Sequence, residues 1–460
     1  MSVTIKQTYT FLFFTGIFFI PFNSYDGISF LGEFRRDGAV LFFLISFLFF
    51  VIDRLYKGTL KLPFRNIFFQ ILSLFIFLLC LSVFVNIPSV LQNYMKHTSG
   101  FGRFIRQIIS LGISLMVFIL GYNILMSLTL EKVFYEIRKA FLYSFVVVLI
   151  YGLLEILVVY FEISYFTNLL LLFDYLPFTD VYLDTLYQRI SSVTLEPPFL
   201  AIYLITIAGW MFSYIITSKG IKKYLPTILV FVLTFFSGSR TALIVIFFQF
   251  VIFLSTVFYV NKRYRSLIQK LIFVLAVLFL SLIAFNGKKV SIEIEKKWDS
   301  LNFVEDMKKS ISNRSRFGIQ YTSLLIFQEN PVFGVGFGQQ AFHAKEKYPT
   351  WVTQNNYEFD EMYFNDSIKS FPPGFNMYTR LLAETGLVGF GVFLSFLVFL
   401  ILKTRKMIKS RQGVDRVISI VLLISFVGFF INWLQFDSFR LYGFWICLAI
   451  LIRQIQLRHE

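Results

Sequence analysis

Long apolar runs separated by short polar segments are the dominant pattern of this 460-residue chain. A helix needs roughly 20 apolar residues to cross about 30 Å of hydrocarbon, because in lipid its backbone groups must bond within the segment. Twelve runs approach that length, although several are a little short. They lie near residues 8–23, 38–53, 66–86, 109–130, 140–161, 197–217, 224–236, 241–260, 267–285, 386–402, 417–433 and 441–455. The pattern predicts an all-α polytopic membrane protein with about twelve transmembrane helices.

Two longer polar segments divide the chain. A loop at 162–196 lies within the first part, residues 1–285, which holds the first nine predicted helices. A large loop at 286–385 follows, and residues 386–460 hold the last three helices and the C-terminus.

The large loop contains recognisable local patterns. Residues 290–311 have apolar positions at helical spacing, which predicts a helix that lies on the membrane surface or packs on the rest of the loop. Residues 318–329 predict a helix stopped by Asn330-Pro331, and the glycines of 334–338 predict a tight turn. Residues 376–384 predict another helix, ended by Gly386.

Charge sets the expected orientation. The net charge of +16 could suggest nucleic acid, but the basic residues lie in short loops between apolar runs, so we expect no nucleic-acid partner. One alternating set of loops, near residues 54–65, 132–139, 219–223, 262–270 and 403–416, holds 20 Lys and Arg, and the opposite short loops hold 8. By the positive-inside rule, both termini are predicted to be cytoplasmic and the large loop external.

Four arginines fall on the predicted external side: Arg189, Arg240, Arg314 and Arg316. Arginine suits bidentate binding of phosphate, and at a membrane rim it can reach a lipid headgroup. Each could instead be an interfacial anchor or a helix-cap partner. Together they favour an anionic ligand.

Acidic and basic groups that could move protons are scarce. Glu196 and Glu384 lie close to apolar runs, where a charge is costly, so both are functional candidates. His343 could act as a base, or it could be an ordinary surface residue.

A cluster of acids lies in the segment YEFDEMYFND. Its members, Glu358, Asp360, Glu361 and Asp366, could bind a divalent cation, but solvated carboxylates are the more common case. We therefore predict no metal site.

Three motifs resemble the signature of the O-antigen ligase and O-antigen polymerase superfamily. They are R-x13-NPVFGVGFG from Arg316 to Gly338, SGSRTAL at 237–243, and N-x7-ETGL beginning at Asn376. They occur in the family's order, and the resemblance covers roughly residues 180–450.

The resemblance implies a glycosyltransferase that uses an undecaprenyl-pyrophosphate-linked oligosaccharide on the outer face of a bacterial cytoplasmic membrane. In the family, external arginines hold the donor pyrophosphate, and Arg240 and Arg316 match those positions. Asn376, Arg380 and Glu384 fall in the third motif and are candidates for other substrate contacts. The resemblance also implies a partner protein that controls chain length, and we expect neither a metal nor another cofactor.

One position departs from the ligase pattern. Ligases of the superfamily carry His-Asn where this chain has Phe375-Asn376, and phenylalanine cannot accept a proton. This favours the polymerase branch, which joins repeat units, and leaves Glu196, His343 and Glu361 as candidate catalytic bases.

Two alternatives remain. A ligase would move a finished glycan to a lipid A core or another acceptor. A flippase of lipid-linked sugars is less favoured, because transporters tend to have short loops and related halves, whereas this chain has one large loop and no visible repeat.

Overall fold

A computed structural model describes residues 2–58, 60–185, 187–260, 266 and 310–456. Before residue 261 the helices are α1 (Ser2–Phe18), α2 (Gly38–Lys57), α3 (Ile67–Val85), α4 (Ile87–Gln92), α5 (Gly100–Leu125), α6 (Leu130–Glu155), α7 (Thr167–Leu171), α8 (Pro197–Thr217), α9 (Leu225–Phe236) and α10 (Arg240–Val260). After residue 309 they are α11 (Ile311–Glu329), α12 (Gln340–Ala344), α13 (Thr350–Thr353), α14 (Met377–Ser410), α15 (Gly413–Asn432) and α16 (Tyr442–Gln456). Among the described residues the strands are limited to one short hairpin, β1 (Tyr94–Met95) and β2 (Thr98–Ser99).

The all-α membrane architecture is confirmed. Within the described residues, eight helices are long and apolar enough to cross a membrane: α2, α3, α5, α6, α8, α10, α14 and α15. Three more predicted spans coincide with the shorter helices α1, α9 and α16, of 17, 12 and 15 residues. The predicted span at 267–285 and most of the amphipathic run, residues 290–309, lie outside the described residues.

Helix α8 lies at the centre of the bundle, and α3 at its edge. In their most apolar windows, 78% of the α8 residues are buried, against 33% for α3. Gln249 of α10 is buried beside α8, where its Nε2 donates to the carbonyls of Ile205 (3.2 Å) and Ile424 (3.1 Å). Since lipid gives packed helices little hydrophobic driving force, such interhelical hydrogen bonds fix how α8, α10 and α15 associate.

Residues 310–376 form what we call the cap segment. Its helix α11 ends at Glu329, as predicted, and packs against α14. The segment has a small core of its own, in which Ile319, Val352, Phe359 and Tyr363 are buried together. The cap segment is therefore an ordered unit at one end of the bundle, which we call the cap end.

A buried lysine fastens the cap segment to the bundle. Lys96 lies in the turn between β1 and β2, and its Nζ donates to the carbonyls of Met362 (2.6 Å), Asn365 (3.0 Å) and Ile368 (3.0 Å). All three N–H groups of the ammonium are thereby satisfied.

Helix α14 is bent at Gly386. We predicted a helix ended at this glycine and a separate span at 386–402, and the backbone agrees: φ 61° and ψ −163° at Gly386 are not helical, so α14 consists of two helical segments that meet at a kink. The kink follows from Gly386 itself, which has φ 61°, and a Cβ there would lie 2.3 Å from the Val332 oxygen. Outside partners replace the helical bonds lost at the kink: Leu387 and Val388 donate to the carbonyls of Pro331 (2.8 Å) and Val332 (3.3 Å).

The glycine-rich turn at 334–338 closes the same corner. The N–H of Val335 donates to the Ala383 carbonyl (2.9 Å), and that of Gly336 to the Glu384 carbonyl (2.9 Å). The turn therefore packs directly on the α14 backbone. Two of the sequence motifs thus form one joint, which sets the direction in which α14 enters the bundle.

Candidate arginine site at the cap end

Arg189 lies against the turn between α9 and α10, residues 237–240, which ends at Arg240 and which we call the arginine turn. Gly238 in this turn has φ 65°, and a Cβ built on it would lie 2.9 Å from Cγ of Arg189. The N–H of Ile190 donates to the carbonyl of Phe236 (3.3 Å). The side chain of Arg189 therefore lies across the turn that begins α10 at Arg240.

Glu155 holds the segment next to Arg189 in place. It is buried at the end of α6, where its carboxylate accepts the N–H groups of Ser191 (2.9 Å) and Ser192 (2.7 Å). The sequence analysis missed this residue, although an acid inside an apolar run was the signal that could have found it. Glu155 is a positioning residue for the loop that delivers Arg189.

Arg316 stacks on Phe375. Its guanidinium carbon lies 5.2 Å from the centre of the ring, and the arginine side chain is exposed. Such a cation–π contact orients the guanidinium without neutralising its charge. Arg316 thus remains able to bind an anion.

The side chain of Asn376 is hydrogen bonded within the protein. Its Oδ1 accepts the N–H groups of Tyr378 (2.9 Å) and Thr379 (3.2 Å) and so caps α14. Its Nδ2 donates to Oε1 of Gln320 on α11 (3.2 Å). Asn376 therefore fixes the start of α14 against the helix that carries Arg316.

The turn between α15 and α16, residues 433–441, connects the two arginine groups. Gln435 in this turn is hydrogen bonded through Oε1 to Oγ1 of Thr241, the neighbour of Arg240. Asp437 accepts the N–H of Gly374 through Oδ2 (2.7 Å), directly before Phe375. The start of α10 and the Arg316–Phe375 pair therefore border the same turn.

Arg380 is paired within the protein. Its Nε donates to Oε1 of Glu384 (3.2 Å), Nη1 to the carbonyl of Asp437 (2.7 Å) and Nη2 to Oε1 of Gln107 (2.8 Å). The side chain is buried, as is Glu384. Among the described atoms, Oε2 of Glu384 has no hydrogen-bond partner. Every side-chain nitrogen of Arg380 thus donates to an acceptor of the protein. Arg380 therefore holds the start of α14 against α5 and the turn at 433–441.

These contacts extend into a larger, partly buried polar network, which we define as Glu33, Arg103, Gln107, Arg380, Glu384 and Asp437. Oε1 of Glu33 accepts from Nε2 of Gln107 (2.9 Å) and Nη1 of Arg103 (3.1 Å). The network joins the loop after α1, the start of α5 and the start of α14. Each of its two arginines is paired with a carboxylate of the network.

Arg314 has a local role. Its Nη2 donates to the carbonyls of Gln354 (3.1 Å) and Asn355 (2.7 Å) in the loop after α13. It therefore ties α11 to the rest of the cap segment, and we assign it no part in substrate binding.

Glu196 and His343 lie in different surroundings. Glu196 is exposed at the N-cap of α8, one turn before Phe199, which lines a cavity of about 60 Å³. That cavity can hold a few waters but not a sugar. Nε2 of His343 is 3.3 Å from Oγ of Ser89, and burial together with the positive charge of Lys347 lowers the pKa of this histidine.

The acids of residues 358–366 differ in what they contact. Glu361 is exposed, whereas Oε2 of Glu358 accepts from the hydroxyl of Tyr363 at 3.5 Å. Burial raises the pKa of Tyr363, and Arg316 is near enough to oppose that shift. Glu358, which the sequence suggested only as a metal ligand, thus contacts a tyrosine that Arg316 also approaches. Within the described ranges, no three His, Cys, Asp or Glu side chains are grouped as metal ligands.

Comparison with known proteins identifies the region that builds this site. Residues 225–394 match a family model described as O-antigen ligase. The matched region includes Arg240, Arg316 and Phe375, together with the joint at Gly386. No curated protein sequence matches the chain. With eight helices suited to a membrane, the match supports placing this multi-pass membrane protein in the O-antigen ligase and polymerase superfamily.

Proposed function

We propose that the protein is a polysaccharide polymerase, which transfers a growing glycan from undecaprenyl pyrophosphate to the next lipid-linked repeat unit. The observation that carries this choice is Phe375. An aromatic ring stands where the ligases have a histidine, and the Arg316 guanidinium lies over it at 5.2 Å. This position therefore orients a cation instead of accepting a proton.

The reaction requires stabilisation of a departing pyrophosphate. The bond between the donor sugar's anomeric carbon and the phosphate oxygen breaks, and its electron pair leaves with the pyrophosphate. An acceptor hydroxyl forms the new glycosidic bond and loses its proton. Fixed guanidinium groups stabilise the negative charge that develops, and Arg189, Arg240 and Arg316 are the arginines that we assign to this task.

The hydroxyl proton needs an acceptor. We assign Glu358 to this role, because it is hydrogen bonded to Tyr363, a tyrosine that Arg316 also approaches. A carboxylate within reach of the acceptor hydroxyl can act as the base.

Arginine substitutions test the assignment of the pyrophosphate site. Arg240→Ala and Arg316→Ala should each lower formation of long glycan by about 100-fold or more, the usual cost of losing one such charge-stabilising donor. The measurement is the glycan ladder on a gel, with the amount of protein in the membrane determined in parallel. Arg106→Ala, at an exposed arginine of α5, is the matched control and should leave the ladder unchanged. Normal ladders in both site variants would refute the assignment.

A pair of isosteric changes tests the base. Glu358→Gln should lower the polymerisation rate by about 100-fold or more, whereas Asp360→Asn, two residues away and exposed, should stay near the unmodified rate. Equal rates in the two variants would exclude Glu358 as the base.

The ligase is the second candidate, and the description of the matching family model favours it. A deletion strain separates the two. Loss of a polymerase leaves single repeat units on the final acceptor, whereas loss of a ligase leaves polymer on the carrier lipid.

A further inference from the structure

A wide groove lies away from the arginine site. It has a volume of about 840 Å³ and runs between α1 and α6. Its walls are largely apolar, with Phe11, Phe14 and Phe18 on α1 and Ala140 and Tyr143 on α6. Phe11 is 69% exposed and Tyr143 54% exposed, so the groove opens sideways from the helix pair.

The groove opens at the end of the bundle opposite the cap end. Its polar rim contains Lys132, near the start of α6, whereas Glu155 at the end of the same helix clamps the segment beside Arg189. Helix α6 has 26 residues and so is about 39 Å long at ~1.5 Å per residue. The groove and the arginine site therefore lie at opposite ends of the bundle.

The dimensions of the groove match one leaflet of a bilayer. From Lys6 to Phe18, α1 rises about 18 Å at ~1.5 Å per residue. One leaflet contributes about half of the ~30 Å hydrocarbon core. A lipid acyl chain of ordinary length would therefore fill the apolar part.

Basic side chains outnumber acidic ones along the groove. Lys6, Lys132 and Lys139 line it together with a single acid, Glu136. Lys132 lies near the start of α6, and Lys139 lies two turns further on, where its Nζ is 5.6 Å from the centre of the Tyr143 ring. The net positive charge of the lining complements an anionic headgroup.

We propose that this groove binds an anionic phospholipid, with an acyl chain between α1 and α6 and the phosphate against the three lysines. Lysines near a membrane surface each favour anionic lipid modestly, and together they give a selective site. The site is separate from the proposed transferase chemistry. It would anchor the α1–α6 pair in the leaflet at the end opposite the cap segment.

Native mass spectrometry of the full-length protein tests the proposal. The protein in detergent is offered equal amounts of phosphatidylglycerol and phosphatidylethanolamine with identical acyl chains. We expect about tenfold more of the anionic lipid in the first bound-lipid peak. The variant Lys6→Gln/Lys132→Gln/Lys139→Gln should lose this preference, while Ala140→Trp should lower binding of both lipids by filling the groove.

Matched controls keep the test specific. Lys219→Gln/Lys222→Gln/Lys223→Gln removes three charges after α8, at the same end of the bundle, and Leu48→Trp adds a ring to an exposed position of α2. Both should bind lipid as the unmodified protein does, and circular dichroism should show every variant folded. No headgroup preference in the unmodified protein, or an equal loss in the control triple variant, would overturn the proposal.

Discussion

Arg316 and Arg380 flank the same short segment, Phe375-Asn376, and each lies over an aromatic ring, but they differ in burial and in polar partners. Arg316 is exposed, whereas Arg380 is buried and donates to Glu384, Asp437 and Gln107. A buried charge must have its counter-charges built in, because desolvation would otherwise destabilise the fold. A charge that serves an anionic substrate must keep its donors available.

The difference gives a criterion for separating structural arginines from substrate-binding arginines. Arg380 and Arg314 have partners within the protein, and we assign them to structure. Arg316 is oriented by a ring, and among the described contacts it has no carboxylate partner. The arginine without internal compensation is thus the better candidate for substrate binding.

The largest expected effect comes from breaking the compensated arginine. Arg380→Met leaves the buried carboxylate of Glu384 and the partly buried carboxylate of Asp437 without their cation, so we expect a loss of about 3–5 kcal/mol in the free energy of unfolding. Thermal unfolding in detergent measures it. Arg316→Met is the matched control and should stay within about 1 kcal/mol. If the two variants unfold at the same temperature, the distinction between the arginines is wrong.

The second-largest loss of stability is expected at the joint between the glycine-rich turn and α14. Gly386→Ala forces φ 61° on a residue with a Cβ and brings that atom against the Val332 oxygen, so a loss of about 1–3 kcal/mol is expected. Gly391→Ala, one turn later in open space, should be neutral or stabilise by up to about 1 kcal/mol. Chemical unfolding measures the stability of both variants, and equal stabilities would contradict the structural role of the kink at Gly386.

The ring under Arg316 should matter less. Phe375→Leu removes the cation–π contact, worth about 0.5–1 kcal/mol, and should slow polymerisation by about two- to fivefold. Phe375→Tyr retains an aromatic face and should keep most of the rate. Both variants must adopt the same backbone φ of 54° at this position, so the ratio of their polymerisation rates reports the contribution of the aromatic ring. A Tyr variant as slow as the Leu variant would argue against orientation by the ring.

The smallest effect concerns His343 and pH. Ser89, Lys347, Glu329 and Glu346 surround it, and burial and Lys347 lower its pKa in the folded protein. The unfolded chain therefore binds the proton first as the pH falls below about 6.5, and stability is lost in that range. Between pH 7.5 and 5.5 the melting temperature should fall more in the unmodified protein than in His343→Gln. Parallel curves would show that His343 contributes nothing to acid sensitivity.

Apolar runs predicted the helices well, because a spanning helix is a local property of about twenty residues. The end of α11 at Asn330-Pro331 and the turn at 334–338 also depend on nearby residues, and both predictions are confirmed. The break in α14 at Gly386 was predicted from the glycine, but the groups that bridge it could not be, since Pro331 and Val332 lie more than fifty residues earlier.

The site was predicted less completely than the fold. The sequence identified the arginines but could not separate Arg316 from Arg314 and Arg380, because burial and pairing depend on distant partners such as Gln107. It likewise missed Glu358 and Glu155, whose contacts are formed only in three dimensions. The roles of Glu196, His343 and Glu361 as bases stay predictions.

The ammonium of Lys96 has one further consequence, for the order in which the molecule comes apart. Its three carbonyl partners lie in the cap segment, while its own backbone belongs to the hairpin before α5. Local opening of residues 362–368 would leave the buried Lys96 ammonium and its three carbonyl acceptors without hydrogen bonds. This opening is therefore costly unless the hairpin that carries Lys96 opens at the same time. Amides in this part of the cap segment and in the hairpin should consequently exchange with solvent as one cooperative unit.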